Sequence, residues 1–368
     1  MYKSILLGLV LAMMVPAVAL ADGVSVGGDL RLRWDYRGSD STSANSTEAE
    51  TYLNLGSAIS DNLTWSASMR HDFEFGDGFA PGNAPAFHVQ EAYISVGDLG
   101  SAASFMGGWS MNLGRMNHPN QGSGRVINSA NWSLEDGPNS SDGYHLASDM
   151  GGIGVDLYYY GGGSSPAGTA DNMMGASFDL GGMGGFADIA IHYWGASDSG
   201  GDPSNLSINI DNIGGDQLMG VDLDVEYSTR DNDTGGDDGT LTSIGLSYDL
   251  GDMGMTVHFS NSVADADWAG MDAAPHGTHG IADLFADNDI ENTTIGLDFS
   301  PMEGVDANLN FITLTTDSTG ADLGTEIDLV FSWACTESTS MEVGYAAFSS
   351  DTEAEDEDYV YLGTGWSF

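Results

Sequence analysis

A period-two alternation of side chains runs through most of the chain and limits what it can fold into. In segments of about ten residues, apolar side chains occupy every second position, and polar or charged side chains stand between them. Residues 221–227 are an example, with Val221, Leu223 and Val225 alternating with carboxylates. Successive side chains of a β-strand point to opposite faces, so each segment predicts a strand with one apolar and one polar face.

The uniform length of these segments favours one kind of all-β fold. About ten residues is the length of a strand that crosses a bilayer in a transmembrane β-barrel, with apolar side chains toward lipid and polar ones toward the lumen. A soluble β-sandwich is the alternative, but it would not require strands of such equal length. We therefore predict a transmembrane antiparallel β-barrel.

Short turns and longer polar loops alternate along the chain, as a barrel with short periplasmic turns and long outer loops requires. Short connections are predicted at residues 60–63, 97–101, 149–152, 181–185, 250–254, 301–304 and 335–339. Longer loops are predicted at residues 38–49, 76–87, 115–141, 161–171, 229–240, 263–290, 316–321 and 350–357. The alternation fails only across 195–216, and a strand at 206–210 followed by a turn at 211–215 restores it. The resulting prediction is 18 strands, with 16 as an alternative.

The two ends of the chain carry export signals. Lys3, an apolar stretch at 5–15 and the A-x-A site at 19–21 predict a cleaved signal peptide over residues 1–21. Residues 22–368 would then form a single outer-membrane barrel domain. The last strand, DYVYLGTGWSF at 358–368, resembles the C-terminal strand of bacterial outer-membrane barrels, which the barrel-insertion machinery recognises. An ordinary sandwich edge strand is the alternative.

Charge and cysteine content exclude several classes of function. The chain has 8 Lys and Arg residues against 55 Asp and Glu residues, a net charge of −47. Nucleic-acid binding requires a basic surface, so no nucleic-acid partner is predicted. The acidity is equally consistent with solubility in a saline habitat. Cys335 is the single cysteine, which excludes a disulfide framework. We expect it to be reduced or buried near a turn, with intermolecular pairing as the alternative.

Two regions resemble the alginate-export family of outer-membrane proteins. The first contains LGRM at 113–116, GR at 124–125, NW at 131–132 and SDGYHL at 141–146. The second contains HGTHGIADLF at 276–285, GTEIDL at 324–329 and EVGYAAF at 342–348. Each motif is weak alone, but their order and spacing are specific, and with EAYI at 91–94 they cover most of the chain.

The resemblance implies a monomeric 18-stranded porin-like barrel that passes an anionic polysaccharide or small ions by passive diffusion, without a cofactor. It also implies that Arg115 and Arg125 guard the pore and that Glu326 and Asp328 lie on the inner wall. One departure from the family stands out. The family's conduit is rich in Arg and Lys, whereas the inward residues predicted here are mostly carboxylates.

Strand alternation and the resemblance together define a predicted pore-lining set: Arg31, Arg33, Arg70, Glu91, Arg115, Arg125, Asp222, Asp224, Glu226, Glu326 and Asp328. Opposed acidic and basic clusters across a lumen select ions by sign. The surplus of carboxylates predicts a cation-preferring or weakly selective pore. Arg31 and Arg33 have a second interpretation, as ion pairs within the wall.

The outer loops carry acidic clusters with two interpretations. Asp231, Asp233 and Asp237 offer the carboxylate oxygens that Ca²⁺ takes, but solvated acidic loops are the favoured interpretation. Divalent bridging to lipopolysaccharide would also suit these loops. His276 and His279 lack the H-E-x-x-H context of a metal site. Ser141 and His145 could belong to a hydrolase site at the barrel rim, but their spacing supports this no better than chance. No other catalytic motif is present, so no enzyme is predicted.

Three functions remain open at this point. The first is a passive channel of the alginate-export kind, in which the loops at 115–141 and 263–290 fold inward or over the mouth to set the constriction. The second is a general cation-preferring porin. The third is a structural or adhesive barrel with a plugged lumen, whose acidic outer loops are the working surface.

Overall fold

The structure is a computed structural model that describes residues 23–39, 41–74, 88–121, 124–127, 140–161, 172–182, 187–197, 202–213, 220–232, 237–270, 279–352 and 355–368. The predicted signal peptide lies outside the described residues.

Eighteen strands make up a single sheet. They are β1 (Val24–Ser39), β2 (Ser43–Ser60), β3 (Leu63–Glu74), β4 (His88–Val96), β5 (Trp109–Asn117), β6 (Ser140–Asp149), β7 (Gly154–Gly161), β8 (Asn172–Gly182), β9 (Asp188–Ser197), β10 (Ser204–Asp211), β11 (Val221–Asp231), β12 (Gly239–Asp249), β13 (Met255–Ala264), β14 (Ile290–Met302), β15 (Val305–Thr315), β16 (Asp322–Thr336), β17 (Thr339–Ser350) and β18 (Glu357–Ser367).

The sheet closes on itself. Every strand pairs antiparallel with its neighbours in sequence, and β1 pairs with both β2 and β18. At the seam, the backbone N–H of Phe368 donates to the Gly28 carbonyl and the Gly28 N–H donates to the Phe368 carbonyl. Closure removes the free strand edges that would otherwise leave backbone groups unpaired in a bilayer. The prediction of an 18-stranded antiparallel β-barrel is confirmed, and the 16-stranded alternative is not.

The connections divide the barrel into two ends. We call the end with the connections that follow even-numbered strands the turn end, and the opposite end the loop end. All eight short turns start where the sequence predicts, including the turn after β10, the strand inferred only to restore the alternation. The turn between β4 and β5 extends through two short 3₁₀ segments at Leu99–Ser101 and Ser104–Met106. Within the described residues, no helix has the length and apolar character needed to span a membrane.

The first predicted loop is much shorter than expected. Only residues 40–42 separate β1 from β2, so residues 43–49, predicted as loop, belong to the barrel wall. The segment reads as polar and loop-like because it is rich in Ser, Asn and Thr, and its acidic residue Glu48 faces the lumen, as does Glu50 just after it. In the β1–β2 register, Glu48 lies opposite Arg33 and Glu50 opposite Arg31. Ionic partners on β1 thus replace the apolar pattern that normally indicates a strand.

The outward face carries the apolar half of the alternation. Exposed large apolar side chains recur around the barrel: Ile94, Leu113, Ile244, Ile295, Phe311, Ile327 and Leu362 among others. Soluble proteins rarely expose contiguous apolar surface of this extent. A lipid-facing band explains it, since lipid chains cover these side chains as a protein core would.

The buried apolar core lies inside the barrel, at the loop end. Val126 and Ile127, from the loop after β5, are fully buried. They belong to one cluster with Trp194 of the wall and Trp268 from the loop after β13. Phe285 of that second loop packs edge-on against Phe348 of β17, with ring centroids 5.5 Å apart. The two loops are therefore held inside the lumen by apolar burial.

Candidate functional site: a lumen with two charged walls

The first wall of the lumen is basic and lies on β1 to β3. Arg31, Arg33, Arg37 and Arg70 have inward side chains, and we call them the arginine wall. They are four of the seven arginines in the chain, whose only lysine is Lys3. Alternation places three of them on one face of β1, and the register of β2 and β3 brings Arg70 beside them.

Each member of the arginine wall has a carboxylate partner. Arg70 pairs with Glu50 at 2.9 Å, and both side chains are buried. Arg33 pairs with Asp35 at 2.7 Å. The remaining two pairs are Arg37 with Glu357 at 2.9 Å and Arg31 with Glu50 at 3.6 Å. Wall ion pairs, the second interpretation of Arg31 and Arg33, are what the structure contains, and they cancel most of the positive charge.

Arg33 and Arg31 differ in how far their side chains are exposed to the lumen. The Arg33 guanidinium lies 4.4 Å from the ring centroid of Tyr361 and donates to the Tyr359 hydroxyl, so aromatic side chains hold it in place. The Arg31 side chain is 57% exposed, which makes it the most accessible of the paired arginines in the lumen. An anion in the lumen can therefore reach the Arg31 guanidinium more readily than those of the other paired arginines there.

The buried Arg70–Glu50 pair predicts a clear effect on stability. Replacing Arg70 with alanine leaves the buried Glu50 carboxylate with the more distant Arg31 as its cationic partner. Removing one partner of a buried pair costs about 3 kcal/mol, because the remaining charge is uncompensated. We expect that loss in the free energy of unfolding, measured by urea titration in lipid vesicles. Arg31→Ala, at an exposed pair, should cost less than about 1 kcal/mol. Equal losses would contradict this assignment.

The second wall is acidic and faces the turn end of the lumen. Alternation places a run of inward carboxylates on β7 to β15, which we call the acidic wall: Asp156, Asp179, Asp188, Asp211, Asp222, Asp224, Asp249, Asp298 and Asp306. Residues 154–315 contain a single arginine or lysine, Arg230, which lies near the loop end of β11. The strands that carry the acidic wall, β7 to β15, therefore contribute no arginine at the turn end.

The polar partners of the acidic wall leave its charge largely in place. His145 bonds to Asp156 at 2.6 Å and His258 to Asp298 at 3.1 Å. Asn212 donates its backbone N–H to Asp224 at 3.0 Å. A backbone N–H donor such as that of Asn212 stabilises a carboxylate without cancelling its field.

Both walls border open space at the turn end. A cavity of about 470 Å³ is lined by Arg31 and Arg33 on one side and by Asp306 and Glu342 on the other. A second cavity of about 380 Å³ continues along β13 to β16, past Asp298 and Asp306. A solute in this half of the lumen would lie between the two walls.

Two loop segments narrow the lumen at the loop end, and a group of buried and half-buried polar side chains joins them. We call this group the loop latch: Arg125, Asp287, His279, Ser262 and Asn292. Arg125 pairs with Asp287, and its guanidinium donates to Ser262 at 2.6 Å. His279 contacts Asp287 at 3.1 Å and Asn292 at 3.3 Å. Arg125 and His279 are at most 2% exposed, so the latch is desolvated.

A second contact fixes residues 281–282, in the later part of the loop after β13, against the wall. Glu326 and Asp328 of β16, both predicted to line the inner wall, point inward and are fully buried. Glu326 accepts the backbone N–H of Ala282 at 2.9 Å, and Asp328 accepts that of Ile281 at 3.1 Å. Arg37 donates to the Ala282 carbonyl at 2.7 Å. These two carboxylates bind the chain's own loop, and no open lumen separates them from it.

The other predicted pore-lining residues divide between the two faces. Asp222 and Asp224 belong to the acidic wall. Glu91 faces inward and accepts the backbone N–H of Asn117 at 3.2 Å. Glu226 is buried in a hydroxyl network with Ser207 and Ser228.

The structure places Arg115 on the outward face, where the resemblance had implied a pore-guarding role. Its neighbour Met116 is buried in the inner core, so the alternation of β5 directs Arg115 outward with Leu113. Arg115 pairs there with Asp142 at 3.2 Å, close to the loop end. An arginine at this height can reach the polar edge of a bilayer with its charged head. The prediction for Arg115 relied on the motif and disregarded the alternation around it.

Several functional residues were not predicted from the sequence. Arg37 continues the same face as Arg31 and Arg33, so the alternation contained its signal. Glu50 was obscured by the polar segment before it. Asp287 lies in a loop, where no local pattern indicates which side chain will be buried.

The loop candidates for metal binding do not come together. Asp231 and Asp237 are exposed, and the Asp237 backbone carbonyl accepts a bond from Asn232. Asp233 and His276 lie outside the described residues. In the part of the chain that the structure describes, no group of three or more His, Cys, Asp or Glu side chains could hold a metal ion. Cys335 is a free, exposed thiol beside the turn after β16.

Solved structures similar to this one include several proteins of Pseudomonas aeruginosa. OccK11 (OpdR) superposes with a TM-score of 0.72 at 14% identity, over 95% of this chain and 98% of that one. OpdQ superposes with a TM-score of 0.68 at 14% identity, over 95% of this chain and 99% of that one. The outer membrane protein OpdK superposes with a TM-score of 0.67 at 13% identity, over 94% of this chain and 98% of that one.

These similarities are similarities of fold. At 11–14% identity they show that the chain is a porin-like outer-membrane type of β-barrel. No family model matches the sequence, and no curated protein matches it. The charged walls and the loop latch must therefore be interpreted from this chain's own residues.

Proposed function

We propose that the protein is a passive outer-membrane channel for small solutes, with a preference for cations. In this proposal residues 1–21 are removed on export, residues 22–368 form a monomeric barrel in outer-membrane lipid and lipopolysaccharide, and the turn end faces the periplasm. The barrel-insertion machinery would recognise the C-terminal strand, because that strand resembles the C-terminal strands of other outer-membrane barrels. No catalysis and no cofactor are part of the mechanism.

The observation that carries this proposal is the imbalance between the two walls. Every arginine of the arginine wall has a carboxylate within 4 Å, so that side of the lumen contributes little net charge. The acidic wall has histidine, amide and hydroxyl partners but no arginine at the turn end. Fixed charge of one sign along a lumen concentrates counter-ions and repels ions of the same sign.

A liposome-swelling assay tests this function directly. Vesicles containing the barrel are placed in solutions of a quaternary ammonium ion, a neutral sugar and a carboxylate of matched size. We expect the cation to enter fastest and the carboxylate slowest. Vesicles that swell no faster than protein-free ones would refute the channel, and faster entry of the carboxylate would refute its cation preference.

A second candidate is a channel for anions, either small carboxylates or the polyuronate of the alginate-export family. The exposed Arg31 favours it, because its guanidinium lines the same cavity as Arg33 and can bind a carboxylate. One of the similar structures, OpdK, was determined with vanillate, an aromatic carboxylate. A long polyanion would have to pass the acidic wall along its whole length, which weighs against a polysaccharide more than against a small acid.

A structural or adhesive barrel is the remaining alternative. The buried core inside the loop end favours it, since the described loop segments occupy part of the lumen there. Bound Ca²⁺ in the acidic outer loops would belong to this alternative. A barrel that is silent in conductance measurements would support it over either channel.

A further inference from the structure

The carboxyl groups of Glu326 and Asp328 form a buried pair with unmet hydrogen-bonding capacity. They are 0% and 1% exposed, and their strand positions place them side by side on the inward face of β16. One oxygen of each accepts a backbone N–H from residues 281–282. Within the described part of the chain, the other oxygens, Glu326 Oε2 and Asp328 Oδ1, are buried without any donor.

The surroundings of this pair supply one cation, Arg37, which is itself paired with another carboxylate. β15 and β17 flank β16, and the residues opposite the pair are uncharged: Asn310, Ile312, Ala346 and Phe348. The titratable side chains from other elements are Arg37, Glu357, Tyr359, Tyr361, Asp283 and His279. Arg37 donates to the Ala282 carbonyl and pairs with Glu357, so its charge is already matched. Tyr359 and Tyr361 donate to Asp35 and Glu342, and His279 bonds to Asp287.

Two adjacent buried carboxylates without a counter-charge would be strongly destabilised. Desolvating an unpaired charge costs several kcal/mol, and like charges in contact raise that cost. The two carboxyl groups are close enough to hydrogen-bond to each other. A single proton between them removes one charge and gives both unpartnered oxygens a hydrogen bond, as in other carboxyl pairs that share a proton.

We propose that Glu326 and Asp328 bind one shared proton, and that this proton keeps segment 280–282 seated against the inner wall. With the proton in place, the pair presents two acceptors to the loop backbone and one net negative charge. Once the proton is lost, two negative charges face each other in a buried site. Opening the segment to water then becomes the favourable way to hydrate them. The lumen should therefore widen at the loop end as pH rises.

Gly280 shows how closely the segment fits the pair. Its φ of +109° is one that side-chain-bearing residues rarely adopt, and a Cβ placed there would lie 2.2 Å from Glu326 Oε1. Gly280→Ala should therefore unseat the segment whatever the protonation state. This variant therefore distinguishes the effect of moving segment 280–282 from the effect of removing the shared proton.

Infrared spectroscopy and single-channel recording test the proposal together. The wild-type barrel should show the absorption of a protonated carboxyl group at neutral pH, and Glu326→Gln or Asp328→Asn should abolish it. The open-to-closed ratio should rise with pH by up to about tenfold per unit, the limit for the release of one proton. Glu326→Gln keeps the acceptor for Ala282 and adds a donor to Asp328, so it should stay closed at every pH. Gly280→Ala should stay open at every pH.

Glu303→Gln is the matched control, because Glu303 is an exposed carboxylate in the turn after β14. It should leave both the absorption and the pH dependence unchanged. The proposal is overturned if the protonated-carboxyl absorption survives in both Glu326→Gln and Asp328→Asn. It is also overturned if the open-to-closed ratio changes with sodium concentration while the pH is held constant. The conductance readout rests on the proposed channel function, but the infrared readout does not. A barrel that conducts nothing would refute the channel and leave the proton to be decided by the absorption.

Discussion

Replacing Arg125 with alanine is expected to raise the single-channel conductance severalfold. Arg125 is the ionic link between the two loops inside the lumen, through Asp287 of one loop and Ser262 of the wall. Its removal leaves the largely buried Asp287 carboxylate with one partner fewer, and His279 Nε2 remains its contact at 3.1 Å. A buried ion pair that loses one member costs about 3 kcal/mol or more. That cost favours the loop arrangement that hydrates Asp287, in which the segment 279–289 moves away from the lumen axis.

A double-substitution cycle separates loosening of the latch from general damage. Asp287→Ala leaves Arg125 buried and should open the lumen in the same way. The double variant removes both charges and should conduct less than either single variant, since no unpaired charge remains. Arg115→Ala is the matched control, because Arg115 lies on the outward face and should leave the conductance unchanged. Strictly additive effects of the two substitutions would contradict the latch.

Neutralising four members of the acidic wall is expected to remove most of the cation preference. In the variant Asp211→Asn, Asp222→Asn, Asp224→Asn, Asp249→Asn, side-chain size is kept and four charges are lost. A unit charge at about 4 Å contributes about 1 kcal/mol even in water. We therefore expect the cation-to-anion permeability ratio to fall at least about fivefold, measured from reversal potentials.

The control for this variant changes the same amount of charge elsewhere. Asp238, Asp267, Asp351 and Asp356 are exposed residues of the loops at the loop end. Their replacement with asparagine changes the net charge equally but leaves the acidic wall intact. Salt screens exposed charges beyond a Debye length of about 10 Å at moderate ionic strength. If both variants shift the permeability ratio equally, selectivity comes from total charge and the acidic wall has no special role.

The sequence predicted the wall of the barrel well because the wall follows a local rule. Each strand must present apolar side chains to lipid and polar ones to the lumen, so alternation alone located the turns and recovered β10. The same rule predicted the inward positions of Arg31, Arg33, Asp222 and Glu326. Arg115 was misplaced when a motif was preferred to the alternation.

The contacts inside the lumen could not be predicted in the same way. The loop latch joins Arg125 and Asp287, which are far apart in sequence and lie in loops without a regular repeat. The bonds from residues 281–282 to β16 depend on where a loop turns inside the barrel. Glu326 was predicted to line the pore, but a loop covers it. Strand alternation predicts that its side chain faces inward, but it does not predict which segment of the chain packs against that side chain.

The reversal potential of the intact barrel across a potassium chloride gradient tests the central claim most directly. The claim is that the acidic wall, whose strands contribute no arginine at the turn end, sets the sign of the permeating ion. The predicted result is a reversal potential displaced toward the potassium equilibrium potential, with the displacement shrinking as salt concentration rises. A displacement toward the chloride equilibrium potential would contradict the account, because it would mean that the arginine wall controls the lumen despite its ion pairs.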